Sequence, residues 1–340
     1  MGDTTPGLVC GHHHLYSALA RGMPAPPVTP TSFAEILEQV WWRLDVALDL
    51  EMLRWSAALG ALEALECGTT AIVDHHEGPS AIEGSLDVIA EACAQVGVRV
   101  RCCYGVTDRH GADGARRGLA ENERFLRSGG SGMVGLHAAF TCSDETLEAA
   151  AGLARDLGVG VHVHVAEGQV DEDAAVRLRG LVHGDWLVVH GVHLREPLPA
   201  TLAHNARSNM NNSVGYARPR RWPHTVVLGT DGIGADMLEE FRLAYARARE
   251  DDISTTPDHA WSWLAGGWAL VPEAKELDRV RWTYERVDDP WSAAFTPGVR
   301  AVDVWVGDEQ VLRDGRATRV DPAEVRAKAA EQAVRLFARL

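Results

Sequence analysis

The chain has 340 residues, of which 46% are hydrophobic and 24% charged, a composition typical of a globular protein and not of a disordered, collagen-like or disulfide-stapled chain. Its formal charge of -15 at pH 7 has the wrong sign for a phosphate-binding surface, so we expect no nucleic-acid partner. The sequence shows neither a long apolar segment nor a signal-like N-terminus. We therefore expect a cytoplasmic protein that does not enter a membrane.

Two residue types have unusual counts. There are fifteen histidines, and only two of the 33 basic residues are lysines, Lys275 and Lys328. The six cysteines form no CxxC pair and have no regular spacing, which predicts reduced thiols rather than disulfides or a zinc knuckle.

Short β-branched runs alternate along the chain with longer amphipathic runs, the pattern of strand-helix units in a parallel sheet. Eight strands are predicted: Gly7–His12, Thr69–Asp74, Arg99–Tyr104, Gly132–His137, Gly160–Val165, Trp186–His190, Leu202–Ser208 and Val226–Thr230. Helices are predicted over Phe33–Leu65, Ala81–Val96, Ala115–Leu126, Asp144–Leu157 and Asp236–Ala248. Eight such units predict an α/β fold of the (β/α)8 TIM barrel type, whose active site lies at the C-terminal ends of the strands.

The pattern changes near the C-terminus. Residues 302–313 alternate in polarity around Gly307-Asp308 and predict a β-hairpin, and a terminal helix is predicted from Pro322. The tryptophan-rich region 251–297 is predicted as a helix followed by irregular segments. The sequence thus predicts a barrel over 1–285 and a hairpin-plus-helix appendage over 286–340, a remnant of a composite β-sandwich domain.

Histidines lie where predicted strands end. His12 and His14 end the first strand, and because residues i and i+2 of an extended chain point the same way, this HxH pair can present two imidazoles to one metal ion. His162 and His164 share one face at the end of the fifth strand, and Glu167 follows at its rim.

The sixth strand ends in His190, the eighth leads into Asp231, and the fourth ends in His137. Each residue alone could be structural, as a buried histidine satisfied by the backbone or an aspartate that caps a helix. The C-terminal edges of barrel strands converge on one point, so imidazoles and carboxylates at several of these edges favour a shared site.

These segments resemble the amidohydrolase superfamily. The resemblance rests on the strings ProGlyLeuVal before the HxH pair, His164-x-x-Glu167, Val189-His190-Gly191, His204-Asn205 with Ser208-Asn209, and Gly229-Thr230-Asp231. They are similar to its mononuclear aminohydrolase branch, which includes guanine deaminase, S-adenosylhomocysteine deaminase and the triazine hydrolases, and are closest to the SsnA-type aminohydrolases. The resemblance covers most of residues 6–250 and, more loosely, the C-terminal hairpin and helix.

The resemblance implies that one divalent metal ion, zinc in the first place with iron or manganese as alternatives, is held by His12, His14, His164 and Asp231. The metal would lower the pKa of a bound water from about 15.7 towards about 7, and the resulting hydroxide would attack the substrate. Asp231 would take the proton, and Glu167 would pass one to the ring nitrogen of the substrate. His190 would orient the hydroxide or polarise the substrate.

Three further residues are candidate substrate contacts. The resemblance implies this role for His137, and Ser208 and Asn209 are pocket candidates because they lie at the end of the predicted seventh strand. His75 and His76 could line the pocket or lie in an exposed loop.

The shortage of lysine bears on the number of metals. Binuclear members of the superfamily bridge two metals with a carboxylated lysine at the end of strand four, where this chain has His137, and both lysines lie beyond residue 270. A lysine-bridged centre is therefore unavailable, and the mononuclear deaminase branch is favoured over dihydroorotase-like or hydantoinase-like chemistry. The other zinc deaminase class needs a PCxxC motif, which is absent.

The leading hypothesis is deamination of a small nitrogen heterocycle or amidine-like substrate. The alternatives are hydrolysis of a cyclic amide or another non-peptide C-N bond at the same centre, and a catalytically inactive barrel with an assembly role. A small-molecule substrate is the expected partner, and self-association into a homo-oligomer stays open.

Relatives normally place half of a small β-sandwich before the ProGly segment, which here begins at Pro6. The C-terminal hairpin is therefore expected to lack sheet partners and to expose a strand edge. We expect a partner subunit or the segment 261–305 to cover that edge. Of the rim residues, Arg109 could bind a carboxylate or form a surface ion pair, whereas Trp41 and Trp42 fit a core or lid.

Overall fold

The computed structural model describes residues 4–340. The strands in this range are β1 (Thr4–Thr5), β2 (Leu8–His13), β3 (Thr69–His76), β4 (Arg99–Tyr104), β5 (Val134–Ala138), β6 (Val161–Val165), β7 (Leu187–His190), β8 (Thr201–His204), β9 (Val226–Leu228), β10 (Arg279–Trp282), β11 (Ala301–Val306), β12 (Glu309–Arg313) and β13 (Arg316–Ala317).

The helices in the same range begin with α1 (Phe33–Ile36), which continues through a π-helical turn at Leu37–Trp41 into α2 (Trp42–Ala47). They continue as α3 (Leu50–Glu66), α4 (Ser85–Val96), α5 (Gly111–Arg127), α6 (Asp144–Leu157), α7 (Ala174–Arg177), α8 (Ala206–Asn211), α9 (Met237–Asp251), α10 (Pro257–Leu270), α11 (Pro272–Glu276), α12 (Pro290–Phe295) and α13 (Pro322–Phe337).

Strands β2 to β9 form a parallel barrel. Continuous ladders join β2-β3-β4 and β5-β6-β7-β8-β9. The bridge between Val106 and Leu136 extends the pairing from β4 to β5, and the bridge between His13 and Asp231 joins β2 to the end of β9. The circuit is closed within the described residues, and the predicted (β/α)8 fold is confirmed.

The strands are rich in β-branched and other apolar residues, and both of their faces are buried. Every residue of β3, β5 and β6 is buried, as expected for parallel strands that face helices on one side and the barrel interior on the other. The helix α6 has the predicted bounds because Ser143 caps its first turn through the backbone N–H of Thr146 and Gly158 ends it in the left-handed conformation.

Two predicted elements differ from the structure. The predicted helix over 33–65 is interrupted before α3, where Leu48 is extended and Asp49 caps the new helix through the backbone N–H of Met52. The predicted seventh strand extends to Ser208, whereas β8 ends at His204 and the helix α8 follows. Ser208 and Asn209 therefore lie on a helix instead of at a strand end.

A second, antiparallel sheet has the order β1-β10-β11-β12-β13. The strand β10 pairs with the edge of the hairpin formed by β11 and β12, so the expectation that this edge lacks a partner strand is wrong. The covering strand belongs to the segment 261–305, as one of the two hypotheses proposed. Because β1 and β10 precede the predicted domain boundary at 285, the small sheet draws on both sides of it.

Two further expectations from the sequence concern the cysteines and insertion into a membrane. All six cysteines, each within the described part of the chain, are free thiols. Among residues 4–340, no helix combines the length and the apolar character that crossing a bilayer requires.

Candidate active site

Four side chains meet at the C-terminal end of the barrel. His12 and His14 come from the end of β2, His164 from β6, and Asp231 follows β9. Oδ1 of Asp231 is 3.0 Å from Nε2 of His14 and 3.6 Å from Nε2 of His12. Nε2 of His14 is 3.3 Å from Nε2 of His164. The structure thus brings together the four residues that the sequence predicts as metal ligands.

Backbone carbonyls orient two of these imidazoles. Nδ1 of His14 donates to the carbonyl of His75 and Nδ1 of His164 donates to the carbonyl of His137, both over 2.6 Å. A carbonyl can only accept, so the hydrogen of each neutral ring lies on Nδ1 and Nε2 is left with a free lone pair. Hydrogen bonds of this kind are typical of histidines that bind metals through Nε2.

Three of the six distances among these four groups match those expected around a tetrahedral cation. With metal-ligand bonds of about 2.1 Å, neighbouring ligand atoms of a tetrahedron are about 3.4 Å apart. The observed distances of 3.0, 3.3 and 3.6 Å bracket that value. Nε2 of His12 is buried and has no hydrogen-bond partner among residues 4–340, as expected of a nitrogen whose lone pair is reserved for a metal. Three imidazoles and a carboxylate are donors that suit zinc.

In the metal-free chain a proton takes the place of a cation. Burial by itself would lower the pKa of His14, but the hydrogen bond and charge of Asp231 raise it to about 9. Burial would raise the pKa of Asp231, but His12 and His14 hold it well below its ordinary value. Binding of a divalent cation at these atoms is therefore expected to release a proton.

His190 lies beside the four groups. Its Nε2 is 3.3 Å from Oε2 of Glu167 and 3.9 Å from Oδ2 of Asp231, and its Nδ1 lies 2.8 Å from Oδ1 of Asn209. One set of atoms close enough to share a cation includes His190 with His12, His164 and Asp231. His190 and Asp231 both have positive φ, 71° and 55°, a conformation that non-glycine residues seldom adopt outside functional sites.

The carboxyl groups of Glu167 and Asp231 differ in pKa. Burial raises the pKa of Glu167 to about 7, although the charge of His190 and the amide of Asn212 lower it. Nδ2 of Asn212 donates to Oε1 of Glu167 over 3.2 Å. Near neutral pH Glu167 can therefore hold or give up a proton, whereas Asp231 is ionised, and such a separation assigns acid and base roles to a pair of carboxylates.

Five of these groups line one cavity: His14, His164, Glu167, His190 and Asp231. The cavity is framed by aromatic and aliphatic side chains from the α1-α2 segment, namely Phe33, Leu37, Trp41 and Trp42. Its lining also includes the predicted substrate contact His137. The tryptophans thus belong to the cavity wall, where flat apolar faces can pack against a planar ligand.

An ionic network that the sequence does not reveal lies beside Trp42 and contributes Asp45 and Glu77 to the cavity lining. Nη2 of Arg109 lies 3.2 Å from Oδ2 of Asp45 and 2.7 Å from Oε2 of Glu77. Nε2 of His137 is 3.4 Å from Oε1 of Glu77, and Arg109 packs on the ring of Trp42 at 4.5 Å. Arg109 makes an ion pair, as one expectation held, but with buried carboxylates instead of surface ones. Glu77 directly follows β3, so the strand-end rule could have found it.

Ser208 and Asn209 face other site residues rather than the cavity. The Ser208 hydroxyl donates a short hydrogen bond to Oδ2 of Asp231, and Asn209 contacts Nδ1 of His190. Neither side chain lines the described cavity, so this placement favours a positioning role over the predicted substrate contact. His75 and His76 are buried, not exposed, and the carbonyl of His75 orients His14.

The sequence is similar to known deaminases. The sequence profile of the amidohydrolase family matches residues 4–263. A 5'-deoxyadenosine deaminase from Methanopyrus kandleri is 32% identical over 271 residues, which are 70% of this chain and 60% of that protein. A 5-methylthioadenosine/S-adenosylhomocysteine deaminase from Desulforudis audaxviator is 30% identical over 272 residues, 71% of this chain and 60% of that protein. The chain thus spans about 60% of the length of these two relatives.

Solved structures share the fold. An adenosine deaminase from Xanthomonas campestris with bound zinc superposes with a TM-score of 0.82 at 21% identity, covering 98% of this chain and 86% of that one. A zinc complex of atrazine chlorohydrolase from Arthrobacter aurescens superposes with a TM-score of 0.78 at 19% identity, covering 97% of this chain and 88% of that one. Zinc is thus bound in two proteins of this fold.

Proposed function

Because the chain belongs to the amidohydrolase family, we propose that it is a zinc-dependent aminohydrolase that removes an exocyclic amino group from a planar nitrogen heterocycle. The observation that carries the proposal is the meeting of three imidazoles and the Asp231 carboxylate, with contacts of 3.0, 3.3 and 3.6 Å among their ligand atoms, directly beside Glu167 and His190. The ligands would be His12, His14, His164 and Asp231, with a single divalent ion between them. Such an ion supplies Lewis-acid activation of a water molecule when bound.

The side chains of the site account for the proton transfers. Asp231, ionised because its pKa is well below the ordinary value, can accept the proton of the attacking water. Glu167, with a pKa of about 7, can protonate the ring nitrogen as water adds to the neighbouring carbon. His190 can hydrogen-bond the adding oxygen through Nε2, which lies near Glu167 but makes no hydrogen bond among the described residues. Return of the proton from Asp231 to the amino group lets ammonia leave, and the hydrogen that remains on the added oxygen restores the proton that Glu167 gave up.

The cavity supports a planar substrate with a polar substituent. Trp41, Trp42 and Phe33 offer flat apolar surfaces, while Asp45 and Glu77 contribute buried carboxylates to the same lining. The relatives named above are deaminases of adenine nucleosides, so we propose an aminopurine, free or as a nucleoside, as the substrate class.

Ammonia release tests the function. Zinc-loaded enzyme is incubated with aminopurines and their nucleosides, aminopyrimidines, pterins, aminotriazines and cyclic amides, and ammonia and ring opening are measured. We expect ammonia from at least one aminopurine. Ring opening of a cyclic amide without ammonia release would instead support the alternative hydrolase.

A substitution at the proposed metal site tests the mechanism. In Asp231→Asn we expect turnover to be lost while the far-ultraviolet circular dichroism is unchanged, because the amide can neither accept the proton of water nor neutralise a cation. Glu239→Gln, which removes the partially exposed carboxylate paired with Arg207, is the matched control and should retain full activity. Wild-type turnover by Asp231→Asn would refute the assigned role.

A further inference from the structure

His12, the third imidazole of the proposed metal site, has a hydrogen-bond partner of a different kind from those of His14 and His164. His14 and His164 donate from Nδ1 to backbone carbonyls, but Nδ1 of His12 lies 2.8 Å from Nε2 of another imidazole, His162. A carbonyl fixes the position of the hydrogen because it can only accept. An imidazole can donate or accept, so the contact with His162 does not by itself decide which nitrogen of His12 faces the metal unprotonated.

The contacts on the far side of His162 decide which nitrogen of His12 carries the hydrogen. Nδ1 of His162 is 3.5 Å from Sγ of Cys103, and the Cys103 thiol donates to the backbone carbonyl of Asp74 over 3.6 Å. The carbonyl takes the only hydrogen of the thiol, so the sulfur accepts from Nδ1–H of His162. Nε2 of His162 is then a lone pair, which accepts the hydrogen from Nδ1 of His12. Nε2 of His12 is left free to bind a cation.

Burial keeps this arrangement in place. The side chains of His12, His162 and Cys103 are completely buried, so water cannot offer competing hydrogen bonds. Burial also raises the pKa of the Cys103 thiol well above its ordinary value, and the thiol therefore keeps the hydrogen that it donates. Gly135 leaves room for the carbonyl of Tyr104 and for this sulfur, because a Cβ at that position would stand 2.2 Å from the Tyr104 oxygen and 3.0 Å from Sγ of Cys103.

We propose that His162 and Cys103 form a hydrogen-bonded relay that fixes the tautomer of His12 and so positions it as a metal ligand. The reverse direction would place a hydrogen on Nε2 of His12, pointing at Oδ1 of Asp231 3.6 Å away, and would block a cation at that position. The inference rests on the proposed function, because it assumes that the site holds a divalent metal. His162 and Cys103 are positioning residues, since neither lines the described cavity.

Zinc affinity tests the relay without relying on turnover. The zinc dissociation constant of the full chain is measured by competition with a chromophoric chelator, for the wild type and for three variants. His162→Leu removes the acceptor for His12 and should weaken zinc binding about 10- to 100-fold. His162→Gln offers a carbonyl oxygen in place of Nε2 and should stay within about threefold of the wild type. Cys103→Ala, a smaller change, should weaken binding several-fold.

His204→Leu is the matched control. His204 is a buried imidazole at the end of β8, which is separated from the strand of His162 by β7, and neither of its ring nitrogens has a hydrogen-bond partner among residues 4–340. Its loss should leave the zinc affinity unchanged, which separates the relay from the mere removal of a buried histidine. Circular dichroism and thermal unfolding of the metal-free variants establish that each is folded.

The outcomes separate the two proposals. Wild-type zinc affinity in a folded His162→Leu variant, or equal losses in His162→Leu and His162→Gln, would overturn the relay while the proposed metal site stands. If His162→Leu does not fold, wild-type affinity in Cys103→Ala overturns the relay instead. Failure of the wild type itself to bind zinc would overturn the proposed function, and with it the relay.

Discussion

The carboxylates of Glu167 and Asp231 both approach Nε2 of His190, yet the site shifts their pKa values in opposite directions. Asp231 faces His12 and His14 and accepts from the Ser208 hydroxyl, and these contacts outweigh the cost of burying its charge. Burial and the charge of Asp231 raise the pKa of Glu167, and they prevail over the lowering effects of His190, Asn212 and the more weakly acting His14. The surroundings of each carboxylate therefore separate a proton acceptor from a proton donor.

We expect Glu167→Gln to lower kcat by a factor of about 10² to 10⁴, because the amide keeps the shape of the side chain but cannot transfer a proton. Zinc stoichiometry should stay at the wild-type value, since Glu167 is not among the proposed ligands. Steady-state kinetics and metal analysis measure both quantities. The exposed neighbour Glu172 provides the control, and Glu172→Gln should be fully active.

The pH dependence of kcat offers a second test at the same residue. Because the pKa of Glu167 is raised to about 7, its protonated form is lost as the pH rises through that value, and kcat should decline there. The residual activity of Glu167→Gln should lack this decline. Persistence of the same alkaline limb in the variant would show that another group is responsible.

At the scale of elements, the helix α8 determines which residues support the site. It places Ser208 in contact with Asp231 and Asn209 in contact with His190. A longer β8 could not make these contacts. Its first turn is held by Glu240 of α9, whose Oε1 accepts from the backbone N–H of Arg207 over 3.1 Å. A helix of six residues depends on such contacts because its own hydrogen bonds are few.

Glu240 predicts a specific pH dependence of stability. Burial raises its pKa from 4.5 to about 8, against the lowering effect of the hydrogen bond from Arg207. The folded chain thus binds a proton that the unfolded chain has released, and the free energy of unfolding falls as the pH rises through this window. In Glu240→Gln we expect that fall to be smaller, by at most about 1.4 kcal/mol per pH unit.

Urea unfolding at several pH values between about 5 and about 8 measures this difference. Glu239→Gln, on the same helix but paired with Arg207 at the surface, should keep the wild-type slope. Equal slopes for the wild type and Glu240→Gln would mean that Glu240 does not hold a proton in the folded chain.

At the scale of the whole molecule, the barrel and the small sheet share one tryptophan. The side chain of Trp282 in β10 is 1% exposed, and its Nε1 donates to Oγ1 of Thr5 over 2.8 Å. It packs against Gly68 just before β3, where a Cβ would stand 2.1 Å from the ring. This joint lies at the N-terminal end of the barrel strands, opposite the site.

We expect Trp282→Ala to lower the free energy of unfolding by about 3–5 kcal/mol, because it leaves a large cavity between the two sheets. The zinc affinity of the folded variant should be unchanged, since the substitution is at the far end of the barrel. Trp291→Ala is the matched control: its side chain is 53% exposed, and the loss should be about 0.5 kcal/mol or less. Equal losses for the two variants would contradict the role of Trp282 as a joint.

The sequence by itself determined the barrel and much of the floor of the site. Short β-branched apolar runs and the amphipathic helical runs between them are local patterns, and His12, His164 and Asp231 follow from them because parallel strands in a barrel end at one place. The use of these residues as ligands and acid-base groups stays a prediction until metal and kinetics are measured.

Tertiary structure decided the rest. Asp45, Glu77 and Arg109 come from three separate segments and meet only when the barrel has closed. The relay from His12 through His162 to Cys103 likewise joins three different strands. Contacts between distant segments depend on how side chains pack against one another, and local periodicity has no information about that packing. The periodicity of the sequence therefore located the strand ends, whereas only their assembly determined which side chains surround them.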